Sequence, residues 1–395
     1  MLRFKKDDGT DFPDWEEKSV GDITIELKKY EQLNSGYPLM TSSRIGLMMQ
    51  EDFRSKSSTE DDTAIFSVVP RGVATYRHMS DDNIFHFNIN NLVDKGLVSK
   101  EYPVFNTVNG NSLYLLVEYL NSSKKFLNFC KAQKKGGTRT RLYFKVLKEF
   151  KFNMPSLPEQ QKIADFLSTI DTVIEKQKAT VEAWEERKKG VMQKLFSQEV
   201  RFKADDGSEF SDWEEKKLKS ILKEYKEVSV KDGTYEHVSL TKEGVVPKSE
   251  RYERDFLVKD SDKKYRVTHL GDICYNPANL KFGVICRNKY GDGIFSPIYV
   301  TFRVMNDVIP EFVEMLVTRQ NFIQYALRYQ QGTVYERMSV SPEDLLSIKV
   351  FIPCLAEQQK IADCLSALDD VIEKQKATLA AWEEMKKGLL QQMFV

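Results

Sequence analysis

The sequence predicts an α+β protein: two globular mixed α/β domains joined by two long antiparallel coiled-coil helices, arranged as a pseudo-two-fold internal repeat. Three observations carry this prediction. The chain of 395 residues repeats itself at an offset of 198, which makes it two units rather than an arbitrary two or three domains. A heptad pattern of apolar residues recurs in both halves. Between the repeated blocks lie diverged stretches with short β-type segments followed by apolar helical ones.

The repeat begins with Arg3 to Val20, which returns as Arg201 to Leu218 with 12 of 18 positions identical. Pro155 to Ser197 returns as Pro353 to Val395 with 29 of 43 identical. Residues 21–150 and 219–348 have diverged almost beyond recognition. Two constant blocks per half are expected to meet a shared partner, and the variable region of each half to meet something different. The resulting boundaries are a first domain at 1–157, a helix at 158–198, a second domain at 199–355 and a second helix at 356–395.

The helices follow from local signals. Pro158 with Glu159 in the first turn marks a helix start, and no glycine interrupts the run before Gly190. Ile163, Leu167, Ile170, Ile174, Gln177, Val181, Trp184, Lys188, Val191 and Leu195 fall at alternating steps of four and three. Ile361, Leu365, Leu368, Ile372, Gln375, Leu379, Trp382, Lys386, Leu389 and Met393 repeat these steps. At 1.5 Å per residue each helix is roughly 57 Å long. A seam of this kind needs a partner in water, and the simplest partner is the other copy. Gln177 and Gln375 are the matching polar seam positions expected to set register. Antiparallel pairing would put the variable domains at opposite ends of a rod and present the constant surface twice, to two copies of one partner.

Each variable region contains strand-like runs: Thr63 to Val69, Gly96 to Ser99 and Tyr102 to Phe105 in the first, Asp272 to Tyr275, Gly293 to Ser296 and Ile298 to Phe302 in the second. Apolar helical stretches follow, Leu113 to Cys130 and Glu311 to Tyr329, with Glu118, Leu120 and Phe126 aligning with Glu314, Leu316 and Phe322. Each runs into a glycine-containing loop, Gly136 to Leu142 and Gly332 to Ser339. The variable regions are therefore expected to share a fold and differ in surface.

Several chemistries are disfavoured. Cys130, Cys274, Cys286, Cys354 and Cys364 include no C-x2-C pair, and His78, His86, His237 and His269 form no metal-binding pattern, so no metal site is expected. No phosphate-binding G-x4-GK[ST] loop, dinucleotide fingerprint or nucleophile elbow occurs. Asn276-Pro-Ala-Asn279 lacks the second proline and the aromatic ring of the amino-methyltransferase motif, so this chain is not expected to be a methyltransferase. The opening residues carry no apolar signal segment and no run of 18 uncharged apolar residues exists, which makes a cytoplasmic protein the expectation, with no membrane partner.

Charge is informative only by region. The chain is formally neutral, with 59 basic and 59 acidic residues. Residues 21–150 carry 18 basic against 14 acidic residues, whereas 1–20 and 201–218 each carry 4 against 6. Between Tyr119 and Lys148 no acid accompanies Lys124, Lys125, Lys131, Lys134, Lys135, Arg139, Arg141, Lys145 and Lys148. These, Thr138, and in the second half Arg319, Arg328, Gln330, Gln331, Thr333, Tyr335 and Arg337, are candidate DNA-contacting residues. Lys and Arg interspersed with Gln, Thr and Tyr suit phosphate positioning combined with base-edge hydrogen bonding. A charge run in isolation reads as a solvated face. Its place in a variable domain on a constant frame favours recognition, of duplex DNA in the leading reading and of proteins in the alternative, a coiled-coil adaptor.

The segment Pro155 to Leu167, with its Glu-Gln-Gln-Lys-Ile-Ala-Asp core, and its copy at Pro353 to Leu365 resemble the conserved regions of type I restriction-modification specificity subunits. Arg3-Phe with Asp14-Trp-Glu-Glu, and Arg201-Phe with Asp212-Trp-Glu-Glu, resemble that family's domain-opening segment. The resemblance covers the whole chain. It implies two target-recognition domains reading one half each of a bipartite duplex, with the helices as spacer and docking frame, and no enzymatic activity on this chain. It also implies two modification subunits carrying S-adenosylmethionine and two restriction subunits using ATP and Mg. By the same resemblance Gly332 to Met338 falls where the family has a DNA-facing loop; the first domain's counterpart is displaced by about two residues.

Overall fold

The computed structural model describes residues 2–50, 64–134, 138–230, 233–248, 264–332 and 338–394. The chain divides into two compact units: Met1–Thr180 with Gln375–Val395, and Val181–Lys374. The long helices Leu157–Phe196 and Leu355–Met393 each contribute a segment to both units.

Within each unit the helix segments run antiparallel. In the first unit Ile163 and Leu167 share a core with Leu390 and Met393, Asp171 meets Lys386 and Lys178 meets Glu383. In the second, Leu195 packs with Ile361 and Leu365 and Lys188 meets Asp369. Ile163, Leu167, Ile170, Ile174 and Val181 are buried, as are Ile361, Leu365 and Ile372, whereas Trp184, Leu368, Leu379 and Trp382 are half-buried. The polar seam pair behaves as its spacing requires: Gln177 Nε2 donates to Gln375 Oε1 at 2.7 Å and to the Gln375 carbonyl at 3.0 Å. A half-buried amide that finds its own counterpart penalises any register that leaves it unpaired.

The two units share one sheet topology. In the first, a four-stranded antiparallel sheet runs in the order Thr24–Glu26, Val104–Thr107, Ala74–Tyr76, Phe87–Ile89. In the second, the order is Leu222–Tyr225, Val300–Val304, Ile273–Tyr275, Ile285–Arg287. A second sheet pairs Tyr30–Gln32, Ile65–Pro70 and Lys95–Ser99 in the first unit. The equivalent strands in the second are Val228–Ser229, Tyr265–Thr268 and Gly293–Phe295, extended by Glu236–Leu240 and Val245–Pro247. The parallel step from Gly293–Phe295 to Glu236–Leu240 has its counterpart in a bridge between Leu39 and Leu97.

Buried anchors explain how this topology survives sequence divergence. Asn90 and Asn288 sit in equivalent turns, each donating from Nδ2 to a backbone carbonyl and accepting two backbone N–H groups at Oδ1. The two apolar stretches that read as single helices are each broken in two. Leu113–Ser122 ends at Ser123, whose Oγ accepts the Phe126 N–H and so starts Lys124–Ala132. Pro310–Thr318 and Gln320–Ala326 break at Arg319. A serine that can cap offers the backbone an alternative to continuing the helix.

Within each unit the constant blocks also meet each other. Glu159, fully buried, accepts from Arg3 Nη2 at 3.0 Å and Trp15 Nε1 at 3.1 Å. Glu357 accepts from Arg201 Nη2 at 2.7 Å and Trp213 Nε1 at 3.0 Å. Gln160 and Gln358 each accept a backbone N–H across the unit, from Ser112 and Ile309, and return a bond to a proline carbonyl. Lys162 reaches Asp7 and Lys360 reaches Asp205, both at 2.6 Å. The duplicated Glu-Gln-Gln-Lys motif is therefore a clamp that holds each unit's opening segment and helix pair onto its helix start. The strand pairings Glu16–Ser19 with Lys151–Met154 and Glu214–Lys217 with Lys349–Ile352 complete it.

Candidate nucleic-acid interface

Three segments converge in each unit, and the same backbone bonds join the second and third of them. The first is a hairpin tip. Met40–Ser43 and Gly46–Met49 close through Arg44 and Ile45, and Leu240 pairs with Val245 across the equivalent turn Thr241 to Gly244. Ser43 Oγ donates to the Gly46 carbonyl at 2.8 Å and accepts the Ile45 N–H. Thr241 Oγ1 makes the same two bonds, to the Gly244 carbonyl at 3.1 Å and from the Glu243 N–H. Gly46 and Gly244 adopt φ of +135° and +137°, a region closed to most side chains. The frame is thus Ser/Thr-x-x-Gly in both, while the two residues at the tip are Arg44-Ile45 in one unit and Lys242-Glu243 in the other.

The second segment follows a buried tyrosine strand and the third follows the helix pair. Tyr76 Oη donates to the Leu142 carbonyl at 3.0 Å and Leu142 N–H to the His78 carbonyl at 2.8 Å. Tyr275 Oη donates to the Val340 carbonyl at 3.1 Å and Val340 N–H to the Pro277 carbonyl at 3.2 Å. Thr140–Arg141 then pairs with Met79–Ser80, and Gln331 bridges Ser339. The backbone is held in common and the side chains differ: Arg77, Asp81 and Asp82 in the first unit, Lys281 and Phe282 in the second.

In the first unit the hairpin tip and the segment after the tyrosine strand border a cleft of about 590 Å³, lined by Ser43, Arg44, Ile45, Arg77, His78, Asp81, Ile84, Glu101 and Tyr102, among others. Arg44 Nη2 donates to Asp82 Oδ1 at 2.5 Å and Arg139 Nε to Asp81 Oδ1 at 2.8 Å. Burial pulls the Asp82 pKa up, but bonds from Ser80 Oγ, Arg44 and the Ile84 N–H outweigh it and hold the carboxyl below its ordinary value. Burial pushes the His78 pKa down, and Arg141 and Arg77 act in the same direction, which favours a neutral ring. Ile84 and Phe85 also border a second cavity that reaches Lys124 on the helix Lys124–Ala132. In the second unit the exposed Phe282 ring lies under Lys281 and Lys242, at 4.9 and 5.9 Å from its centroid, an aromatic face flanked by cations.

Lys124, Lys125, Lys131 and Lys134 are exposed on or just after the helix Lys124–Ala132, Thr138, Arg139 and Arg141 are exposed beside the cleft, and Lys145 is exposed on the short helix Phe144–Leu147. Lys135, Thr333, Tyr335 and Arg337 lie outside the described residues. Arg328 is exposed with its guanidinium 5.4 Å from the Tyr325 ring, and Gln330 is half-buried. Gln331 Nε2 donates to Asp344 at 3.0 Å. Arg319 is placed differently from its expectation: its guanidinium stacks on Phe196 at 4.0 Å and Nε donates to the Leu316 carbonyl. Burial lowers its pKa to about 10, so it remains a cation while serving as a packing residue of its own unit. Asn276 accepts the Ala278 N–H within its own turn. Sequence reasoning missed Arg44, Ile45, Arg77, Lys242, Lys281 and Phe282. The signal that finds three of them, Arg44, Ile45 and Lys242, is the Ser43-x-x-Gly46 and Thr241-x-x-Gly244 match at the 198 offset.

The family model described as "Type I restriction modification DNA specificity domain" matches residues 85–183 and 211–381. The chain belongs to this family. As a specificity subunit it serves DNA sequence specificity within a type I restriction-modification complex, and the protein-binding adaptor is not favoured. It is 26% identical to a putative type I restriction enzyme MjaX specificity subunit of Methanocaldococcus jannaschii, over 98% of this chain and 94% of the relative. It is likewise 26% identical to the MjaVIII specificity subunit of the same organism, over 67% and 65%. The crystal structure of a type I S subunit from M. genitalium matches with a TM-score of 0.56 at 16% identity, covering 100% of this chain and 98% of that one. A chain from a structural study of type I complex assembly matches with a TM-score of 0.51 at 13% identity, covering 97% and 98%. These two likenesses show the fold. No helix among the described residues of the specificity subunit is long and apolar enough to cross a membrane.

Proposed function

We propose that this specificity subunit reads a bipartite duplex target, one half per unit, through the three-segment convergence in each. Phosphate contacts come from the exposed lysines of residues 124–134, and base contacts from the hairpin tip and the loop after the tyrosine strand. The duplicated clamp and paired helices form the frame on which two modification and two restriction subunits dock. Those subunits supply S-adenosylmethionine-dependent methylation and the ATP- and Mg-dependent steps, and this chain contributes no catalytic group. The observation that carries the reading is the duplicated turn whose frame is the same, Ser43/Gly46 and Thr241/Gly244, while its tip residues differ. A structure that keeps the frame and changes only the presented side chains is what reading two different half-sites requires.

The test is an exchange of residues 219–348 for the equivalent region of a related subunit, with methylated positions mapped genome-wide in cells supplying the modification subunit. One half of the methylated motif changes and the other stays. A change in both halves refutes the assignment of one half per unit.

A further inference from the structure

The cations around the first unit's cleft fall into two electrostatic kinds. Among the described residues no ion pair engages Lys124, Lys125 or Lys131, which are exposed. Arg44 and Arg139, by contrast, are each paired with a carboxylate of one short loop, Asp82 and Asp81. The first kind suits phosphates, because each neutralised phosphate releases condensed counterions. The second kind suits them poorly: a phosphate oxygen reaching Arg44 also approaches the ionised Asp82, and the pair offers no net charge. A base edge is neutral and rich in acceptors, so the nearby carboxylate does not repel it. The carboxylate also orients the guanidinium before binding, which reduces the ordering cost on contact.

Geometry singles out Arg44. It sits at a tight turn braced by Ser43 and Gly46, on a ribbon whose Met40 and Leu47 are buried and whose Ser42 and Ser43 accept from Asn88. A two-stranded ribbon fits the major groove. Only one N–H of the Arg44 fork is bonded among the described residues, which leaves donors for a bidentate contact. Its neighbour Ile45 is 84% exposed, a large apolar side chain in water at the end of a rigid arm.

We propose that the hairpin tip Arg44–Ile45 enters the major groove as a base-reading element of the first unit's half-site, with Arg44 donating to the O6 and N7 acceptors of a guanine and Ile45 packing on an adjacent base edge. This rests on the bipartite reading above and names the element and base that it uses. Arg44 is a specificity-determining residue, Asp82 is the positioning residue that aims it, and the lysines of residues 124–134 supply the sequence-independent affinity.

The experiment uses the full chain assembled with its modification subunit, on duplexes carrying the mapped target with each base pair of the first half-site varied, between 50 and 200 mM salt. Arg44→Ala combined with Asp82→Asn, which removes the pair with no change of net charge, loses roughly ten- to a hundred-fold of discrimination at one guanine-containing position, the effect of one bidentate contact, and leaves the salt slope unchanged. Arg44→Lys, which keeps the charge and loses the fork, shows the same loss and controls for folding. Asp82→Asn frees the guanidinium, raises non-specific affinity and steepens the salt dependence by about one phosphate's worth. Lys124→Ala with Lys125→Ala weakens every sequence equally and flattens the slope. The proposal is overturned if the Arg44→Ala/Asp82→Asn double variant weakens all sequences uniformly with a flatter slope, if it has no effect on either measure, or if the relaxed position holds no guanine. These outcomes are separate from failure of the bipartite reading, which shows instead in the wild-type assembly as the absence of a split duplex target.

Discussion

Lys188 and Lys386 are the same residue of the repeat, yet their removal should have unequal consequences. Lys386 Nζ lies 3.0 Å from Glu118 and 2.7 Å from Asp171, and both Lys386 and Glu118 have 16% side-chain exposure. Tyr114 also hydrogen-bonds Asp171. Among the described residues Lys188 pairs with Asp369 alone, half exposed, because the second unit's Glu314 is taken by Arg287 and Lys289. Burial raises the Glu118 pKa and Lys386 opposes that rise. In Lys386→Met the apolar stem is retained and the cation is lost, so Glu118 is left either charged in a poorly solvated site or protonated. Removing one partner of a buried pair costs about 3–5 kcal/mol. Protonating an ordinary glutamate at pH 7 costs about 3.7 kcal/mol, which sets a ceiling, and the partial exposure of Asp171 lowers the figure to about 2–3 kcal/mol. Lys188→Met should cost under about 1 kcal/mol. The sign with pH follows from linkage: a raised carboxylate pKa means that the folded variant binds more protons than its unfolded chain. Its deficit is therefore full above the raised value and shrinks as pH falls through it toward the ordinary glutamate range. Hydrogen exchange over residues 375–394 and 355–374, as a function of urea at pH 5.5 and 7.5, reads the two sites separately. Equal losses for the two lysines, or a Lys386→Met loss that ignores pH, refute this reasoning.

Further outcomes follow from the same contacts. Arg3→Ala and Arg201→Ala should destabilise their own units by similar amounts, about 2–4 kcal/mol, since each strands a fully buried glutamate; a large asymmetry in unit-resolved unfolding contradicts the duplicated clamp. Arg319→Ala should lower stability by about 1–2 kcal/mol through lost stacking on Phe196 and leave the salt slope of DNA binding unchanged; a flatter slope restores Arg319 to the interface. Burial works against charging His269, but bonds to Asp292 and Glu227 prevail and raise its pKa. Its contribution is therefore complete below the ordinary histidine value and is lost as pH rises through the raised one, and His269→Gln should flatten the stability profile across that window. Replacing Gln177 and Gln375 together with Leu should raise the melting temperature while permitting additional association states in light scattering, since the register-setting amide pair is gone.

The long helices, their seam and the two-unit plan were readable in the residues because a heptad and a duplication are linear patterns. Gln177 meeting Gln375 follows from spacing alone once the helices pair antiparallel. The shared fold of the variable regions was visible only in outline, through aligned positions such as Phe126 and Phe322. The anchors that enforce it, Asn90 with Asn288 and Tyr76 with Tyr275, are single residues in diverged surroundings and carry no periodic signal. Charge density pointed to residues 124–145 but could not separate lysines without a carboxylate partner from arginines paired across 38 and 58 residues of chain. It also placed Arg319 among candidate DNA contacts, because a sequence does not show that an aromatic ring lies beneath a guanidinium.

By itself the sequence determined that this protein is two versions of one unit, helix-paired, with constant and variable parts. Those properties are written in spacing and identity at one offset. Only the tertiary structure decided what the constant residues do and where the variable ones are displayed. The buried Glu159 and Glu357 need partners some 156 residues away, and the hairpin tips, tyrosine-strand loops and post-helix loops become one surface only when distant backbone groups satisfy each other. Such pairings are set by the cost of leaving buried polar groups unbonded, a quantity that exists in the folded chain and not in any local stretch of it.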